Sequence, residues 1–356
     1  MKVLYVSTLS STINAFLVEH IKQLNKNGHQ IDIAANFNKE IAPELKSIIG
    51  NTFNVSFNRS PFSFDNYKAY KEIRKISNKH NYDIIHLHTP VASFITRLAA
   101  RNCKSKIFYT AHGFHFHRKS SILSWLIYYP LERYLSKYTH TLIVINWEDY
   151  ELAKKKFFQK RLVHINGVGF DRDKYIVNTK KFNSNKVNFV SVGEVNKNKN
   201  HVRVIKALLK IKFDYSYTIV GTGKLECKLK RLINKYKLND KIKLLGYRED
   251  INTILLEADI FIFPSLREGL GIAAIEAMAS GLPILTSNVH GINDYSAEEI
   301  SGFKFNPKNV SDIAHKIEKI INNKDNWISY SNNNIRESEK YDIKLILNEI
   351  IKIYDV

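Results

Sequence analysis

The stretch Asp259-Ile260-Phe261-Ile262-Phe263-Pro264-Ser265-Leu266-Arg267-Glu268-Gly269-Leu270-Gly271-Ile272-Ala273-Ala274-Ile275-Glu276-Ala277-Met278-Ala279-Ser280-Gly281-Leu282-Pro283 decides the fold. Its apolar start, closed by Pro264-Ser265, reads as a buried strand. Glycines then mark a turn, and small residues fill the helix that follows. Strand, turn and helix in that order are how an α/β protein presents a ligand at the carboxyl end of its sheet. Glu268 falls in the turn and Glu276 two helical turns further on. Both carboxylates can accept hydrogen bonds from a polyhydroxylated ligand there. The same pattern also fits a tightly packed βα unit with two surface glutamates, and the pattern alone leaves both readings open.

Outward from this unit, strand-like apolar runs alternate with helical segments, the mark of parallel βαβ construction. In the first half, strands are predicted at Val3–Ser7, Gln30–Ala34, Ile84–His88, Lys106–Thr110 and Thr141–Ile145. Helices are predicted at Ala15–Lys26, Tyr67–Asn78, Ser93–Ala100 and Tyr150–Phe157. Residues 171–186 are polar and read as a linker. A second α/β run follows, with strands at Asn188–Val192, Tyr217–Val220, Ile242–Leu244, Asp259–Phe263 and Pro283–Ser287. Apolar residues at Ile343, Leu345, Ile346, Leu347, Ile350 and Ile351 give Lys340–Tyr354 a helical spacing. The predicted domains are 1–170 and 187–339, with a terminal helix, 340–356, free to pack back on the first.

The chain has 356 residues and is 44% hydrophobic, enough for two cores. No apolar run is long enough to span a bilayer. Met1-Lys2-Val3-Leu4-Tyr5-Val6 reads as a strand and not as a signal peptide. Cys103 and Cys227 stand far apart without metal-ligand spacing, which points to a reducing cytoplasm. The net charge is +20. Residues 1–178 carry 26 Lys+Arg against 13 Asp+Glu, and residues 179–356 carry 28 against 21. Such a balance fits nucleic acid, an anionic membrane face or phosphorylated substrates. It also fits a solvated Lys- and Asn-rich surface.

Several motifs carry candidate chemistry. Gly221-Thr222-Gly223-Lys224 follows a strand and precedes a helix, so backbone amides there can face an anion. Glu226 occupies the third glycine's place of a dinucleotide fingerprint, which argues against a nicotinamide cofactor. Gly193-Glu194 opens the polar loop Asn196-Lys197-Asn198-Lys199-Asn200, in which a lysine can neutralise a diphosphate or simply meet solvent. His86, His88, His112, His115 and His117 cluster in sequence and raise the possibility of zinc. No acidic ligand accompanies them, and a single active-site histidine, His112, is the preferred reading. Asp171-Arg172-Asp173 matches a D-x-D metal pattern but lies in the linker stretch and reads as surface. Basic and aromatic residues mix in Phe114–Pro130, which suits either a membrane interface or a core helix after an active-site loop. No nucleophile-elbow pattern supports Ser-His-Asp catalysis.

Together these elements resemble the retaining glycosyltransferases of family 4. The resemblance covers essentially the whole chain. It rests on the Gly193–Lys199 turn, Gly221-Thr222-Gly223, Leu245-Gly246-Tyr247, Pro264-Ser265 and the paired glutamates. The first half resembles a bacterial capsular and exopolysaccharide subgroup through His86-Leu87-His88-Thr89-Pro90, Tyr109–Phe116 and Ile145–Tyr150. The resemblance implies a GT-B fold, two Rossmann-like α/β domains facing each other across a cleft, the first binding acceptor and the second a nucleotide sugar. Position by position, it implies that Glu276 binds the ribose hydroxyls and Glu268 the donor sugar. Amides of Gly269, Leu270 and Gly271 lie near sugar and diphosphate, and Gly193, Gly221 and Gly223 line the nucleotide. Lys199 stabilises the departing diphosphate, Tyr247 and Arg248 mark the base pocket, and His112 stands beside the donor sugar. Neither a metal nor another cofactor is expected. Two departures stand out: Glu194 replaces the family's arginine, with Arg203 or Arg248 as candidate substitutes, and Thr8-Leu9-Ser10-Ser11-Thr12 replaces paired glycines.

The activity so implied is transfer of a hexosyl or N-acetylhexosaminyl group from a UDP-linked sugar to a polyprenyl-diphosphate-linked or other glycan. The process is capsular or extracellular polysaccharide biosynthesis. The expected location is the inner face of the bacterial plasma membrane, held through the basic first half. The alternatives are a GT-B-fold nucleotide-sugar epimerase and a basic nucleic-acid-binding protein. The paired glutamates and the polysaccharide-type first half weigh against the first. The lack of any recognised nucleic-acid module weighs against the second.

Overall fold

The computed structural model of the protein describes residues 1–60, 63–118, 120–177 and 186–355. The chain divides into two compact units, Met1–Gly169 with Lys344–Val356, and Phe170–Ile343. Each is built on a wholly parallel sheet.

The first unit contains β1 (Lys2–Leu9), β2 (Gln30–Asn36), β3 (Thr52–Asn54), β4 (Ile84–Leu87), β5 (Lys106–Ala111), β6 (Thr141–Val144) and β7 (Arg161–His164). Their order in the sheet is β3-β2-β1-β4-β5-β6-β7. The strands between the edges are buried and mostly apolar because helices cover both faces of a parallel sheet, with Asp32 in β2 and His86 in β4 among the buried polar exceptions. Strand order reverses between β1 and β4, the position where such sheets open a ligand crevice at the carboxyl ends.

The second unit contains β8 (Val187–Val192), β9 (Tyr215–Val220), β10 (Ile242–Gly246), β11 (Ile260–Phe263), β12 (Ile284–Ser287) and β13 (Gly302–Phe305). Their order is β10-β9-β8-β11-β12-β13, reversing between β8 and β11. The terminal helix, Ile343–Tyr354, belongs to the first unit, where the Tyr354 hydroxyl meets His86 Nδ1 at 2.5 Å.

Several boundaries differ from the sequence reading. The first helix starts at Ser10, not Ala15, and a break at Leu17 separates Ser10–Phe16 from Val18–Lys26. The early start is a tertiary effect: Ser10 Oγ donates to the Lys39 carbonyl at 2.6 Å and Asn14 Nδ2 to that of Glu40 at 2.7 Å. Asp171–Asp173 lies in the second unit, where Arg172–Lys174 forms a 3-10 turn and Arg172 pairs with Glu339 at 3.2 Å. Of the expected linker, residues 178–185 lie outside the described residues. Of the Phe114–Pro130 segment, Ile122 onward lies in a helix, Ile122–Leu135, which continues through Pro130, while residue 119 lies outside the described residues.

That helix is fixed to the Pro90–Ala99 helix by a buried ion pair, Arg97 Nη2 to Glu132 Oε2 at 2.8 Å. The Arg97 guanidinium also lies 4.6 Å from the Tyr109 ring centre. Removing one partner strands the other's charge out of water, whereas replacing both by apolar groups does not. Arg97→Met should therefore lower stability by about 3–5 kcal/mol, and Arg97→Met/Glu132→Leu should recover most of it. Urea unfolding of the two variants checks this.

Candidate active site

At the carboxyl ends of β8, β9 and β10, three turns are joined edge to edge. Gly193 N–H donates to the Val220 carbonyl at 2.9 Å, Val195 N–H to that of Thr222 at 2.9 Å, and Gly221 N–H to that of Gly246 at 2.7 Å. Glycine is required for this approach. A Cβ on Gly221 would stand 2.1 Å from the Gly193 carbonyl oxygen, and one on Gly223 would stand 2.5 Å from that of Val195. Gly193 serves a different end. Its bare surface lies under the Lys199 side chain, whose Cε would be 3.0 Å from any Cβ placed there.

Lys199 crosses this surface to reach Glu268, Nζ to Oε1 at 2.8 Å, and its ammonium sits 4.6 Å from the Phe263 ring centre. The pair thus spans the switch point between β8 and β11. Asparagines hold the two loops together. Leu266 N–H donates to the Asn198 carbonyl at 2.8 Å, and Asn198 Nδ2 to that of Arg267 at 2.9 Å. Asn200, in the left-handed region at φ 58°, donates to the Pro264 and Pro307 carbonyls at 3.1 and 2.8 Å. His290 Nδ1 lies 2.7 Å from the Glu268 carbonyl.

Beyond Glu268 the backbone turns at Gly271 (φ 93°) into the Ile272–Ala279 helix. A Cβ at Gly271 would stand 2.5 Å from the Phe263 ring and 3.2 Å from the Tyr295 hydroxyl. Leu270 is buried, while Gly269 and Gly271 are part-buried. The helix start offers amides and a positive dipole end beside Lys199 and Glu268, a setting for an anion. Glu276, on this helix, is part-buried; burial pushes its carboxyl up, and a hydrogen bond from Tyr175 opposes that.

The structure therefore brings Gly193, Lys199, Gly221, Gly223, Glu268, Gly269, Leu270, Gly271 and Glu276 to one end of one sheet. Tyr247 follows Gly246 beside the Gly221 turn but is 73% exposed. Arg248 is held by Asp250 through two hydrogen bonds of 2.7 and 2.5 Å. Arg203 bonds Asn200 Oδ1 at 2.8 Å, so both candidate substitutes for the arginine absent at Glu194 already have partners. Phe263, His290, Tyr175 and the asparagines were not singled out from sequence. The alternation of asparagine and lysine over 196–200 was the one available signal.

In the first unit, His112 follows β5 and stacks on His88 at 5.9 Å between ring centres; His88 lies 4.1 Å from His86 and 4.9 Å from Tyr5. His86 Nε2 is 2.8 Å from Thr110 Oγ1. Among the described residues no His, Cys, Asp and Glu group of three or more is arranged to hold a metal ion. Where paired glycines were expected in a loop, β1 runs through Leu9 directly into the Ser10–Phe16 helix; Thr8 Oγ1 lies 2.6 Å from Thr89 Oγ1, and the Ser10 hydroxyl is bonded to the Lys39 carbonyl.

Residues 173–340 match the family described as glycosyl transferases group 1, and residues 2–146 match the glycosyl transferase 4-like family. EpsD of Bacillus subtilis, provisionally named a glycosyltransferase, is 30% identical over 338 residues, covering 90% of this chain and 87% of EpsD. The UDP-Gal:alpha-D-GlcNAc-diphosphoundecaprenol alpha-1,3-galactosyltransferase of Escherichia coli is 30% identical over 274 residues, covering 72% of this chain and 71% of that enzyme. Anabaena HepE, solved in complex with UDP and glucose, superposes with a TM-score of 0.78 at 17% identity over 99% of both chains. The chain belongs to this glycosyltransferase family, with its two-domain α/β GT-B fold.

Burial brings the His112 imidazole down to about 4 and pushes His86 and His88 below their ordinary value, with neighbouring histidines adding to the shift. An unfolded histidine takes up its proton near 6.5, before the folded ones do. Stability from His112 is therefore complete above that pH and is lost as pH falls from 6.5 toward about 4, and His86 and His88 act in the same direction. The loss should approach about 1.4 kcal/mol per pH unit for each histidine. Denaturant titrations across this range should show the decline, with a shallower slope in His88→Phe.

Proposed function

We propose that the protein transfers a sugar from a UDP-linked donor to a lipid-linked saccharide in capsular or extracellular polysaccharide biosynthesis, retaining the anomeric configuration. The carrying observation is the Lys199–Glu268 pair at the start of the Ile272–Ala279 helix, with Glu276 further along it. UDP in the HepE complex supports the donor, as does the Escherichia coli relative's name, which also supports the diphosphoundecaprenol acceptor. Whether the group moved is a hexosyl or an N-acetylhexosaminyl unit follows from the donor's sugar.

The chemistry suits these residues. When the anomeric C–O bond breaks, its electrons leave with the diphosphate oxygen and positive charge builds on the sugar. Lys199 and the helix amides stabilise the departing anion, so we read the transfer as metal-independent. Glu268 accepts hydrogen bonds from the sugar hydroxyls, and Glu276 from the ribose. The acceptor hydroxyl attacks on the face that the diphosphate leaves, and its proton passes to the leaving phosphate oxygen. The acceptor is assigned to the first unit, where His112 supplies a neutral imidazole. That unit's basic balance suits a peripheral place at the inner face of the bacterial plasma membrane. No described helix is long and apolar enough to cross a membrane.

Glu276→Ala should weaken binding of the UDP-sugar about tenfold to a hundredfold, as loss of hydrogen bonds to a charged group does. Lys199→Ala should slow turnover about a hundredfold or more, with a smaller change in donor affinity. Incubating the protein with bacterial membranes and a panel of nucleotide sugars identifies the donor, and initial rates of lipid-linked product against donor concentration then separate the two effects. Wild-type turnover in both variants would remove the site assignment.

A further inference from the structure

The Ile122–Leu135 helix shows the same direction of packing along its whole length. Its inner face is firmly held. Trp125 and Tyr129 pack against Phe116 at ring-centre distances of 5.4 and 5.7 Å, Trp125 Nε1 donates to the His117 carbonyl at 3.1 Å, and Glu132 holds Arg97. The outer face is bare and apolar: Ile122 is 79% exposed, Leu123 64%, Leu126 69% and Ile127 45%. A helix so fixed on one side does not expose these side chains through loose packing.

The stripe continues into cations. Beyond exposed Pro130 and Tyr134, Phe158 stands out beside the helix end, tied there by its N–H to Ser136 Oγ at 2.9 Å. Arg133 lies 4.9 Å and Lys137 5.4 Å from its ring centre. Lys154, Lys155, Lys156 and Lys160 flank it in the chain, all exposed, and Glu151 pairs with Lys155 at 3.3 Å.

We infer that this face, from Ile122 to Phe158 and its surrounding lysines, is a docking surface for an anionic lipid bilayer. Aliphatic side chains enter the acyl boundary while the cations meet charged head groups. Charge complementarity selects this occupant. A second copy would set like-charged patches together, and nucleic acid would leave the aliphatic stripe unused. Docking sets the His117 end of the His112 loop, from which the helix grows, at the membrane surface. That this serves a lipid-linked acceptor rests on the function proposed above.

Flotation of the full chain with vesicles tests the surface, comparing phosphatidylglycerol mixed with phosphatidylcholine against phosphatidylcholine alone. The protein should float with the anionic vesicles and less so in high salt. Leu123→Ser/Leu126→Ser should reduce this about tenfold or more. Lys137→Glu/Lys156→Glu should abolish the preference for anionic vesicles. Both variants should bind UDP like the wild type, which shows that they fold and separates this surface from the donor site. The inference is overturned if the serine variant floats normally, if uncharged vesicles bind equally well, or if the wild type does not float. It is equally overturned by a solution dimer that the serine variant dissolves. Loss of UDP binding in the wild type itself would instead remove the donor reading and leave the surface intact.

Discussion

Lys199 reaches Glu268 because Gly193 has no side chain in its way. The ammonium and carboxylate come from loops after two strands, β8 and β11, that are neighbours only because the strand order reverses there. The lysine must cross the first turn to meet the glutamate at 2.8 Å. A Cβ on Gly193 would press on Cε, Cδ and Nζ of the lysine in turn. Gly221 extends the constraint, since its own lack of a side chain lets the β9 turn close over the Gly193 carbonyl. Asn198 and Asn200 then fix the height of one loop above the other.

This pair is also a chemical constraint. Both side chains are largely shielded, and a shielded charge that loses its partner must be compensated. A ligand that takes only the lysine leaves the carboxylate exposed to that cost. A sugar nucleotide offers both halves of the replacement, negative oxygens for Lys199 and hydroxyl donors for Glu268. The Phe263 ring beneath the ammonium adds a favourable contact. On the donor-binding role proposed for them, donor binding and the state of the pair are coupled.

Much of this was legible before the structure. The buried strands announced themselves as apolar runs, and the glycine turns and glutamate spacing marked the carboxyl end of the second sheet, where the candidate site lies. The strands missed, β3, β7 and β13, are all edges. An edge has one neighbour, so its residues need not be uniformly apolar; Arg161-Leu162-Val163-His164 is part-exposed throughout. The asparagine network was hidden for another reason: a polar loop in solvent and one bonded to a neighbouring loop have the same composition. The outward face of the Ile122–Leu135 helix was similarly ambiguous, because apolar residues at helical spacing do not say which side has a partner.

Titration calorimetry with UDP and with the cognate UDP-sugar separates the roles proposed for the two side chains. Glu268→Gln should weaken binding of the sugar nucleotide while leaving UDP affinity unchanged or improved, since it frees Lys199. Lys199→Met should weaken both ligands. Equal loss of UDP and UDP-sugar affinity in Glu268→Gln would show that Glu268 does not hold the sugar.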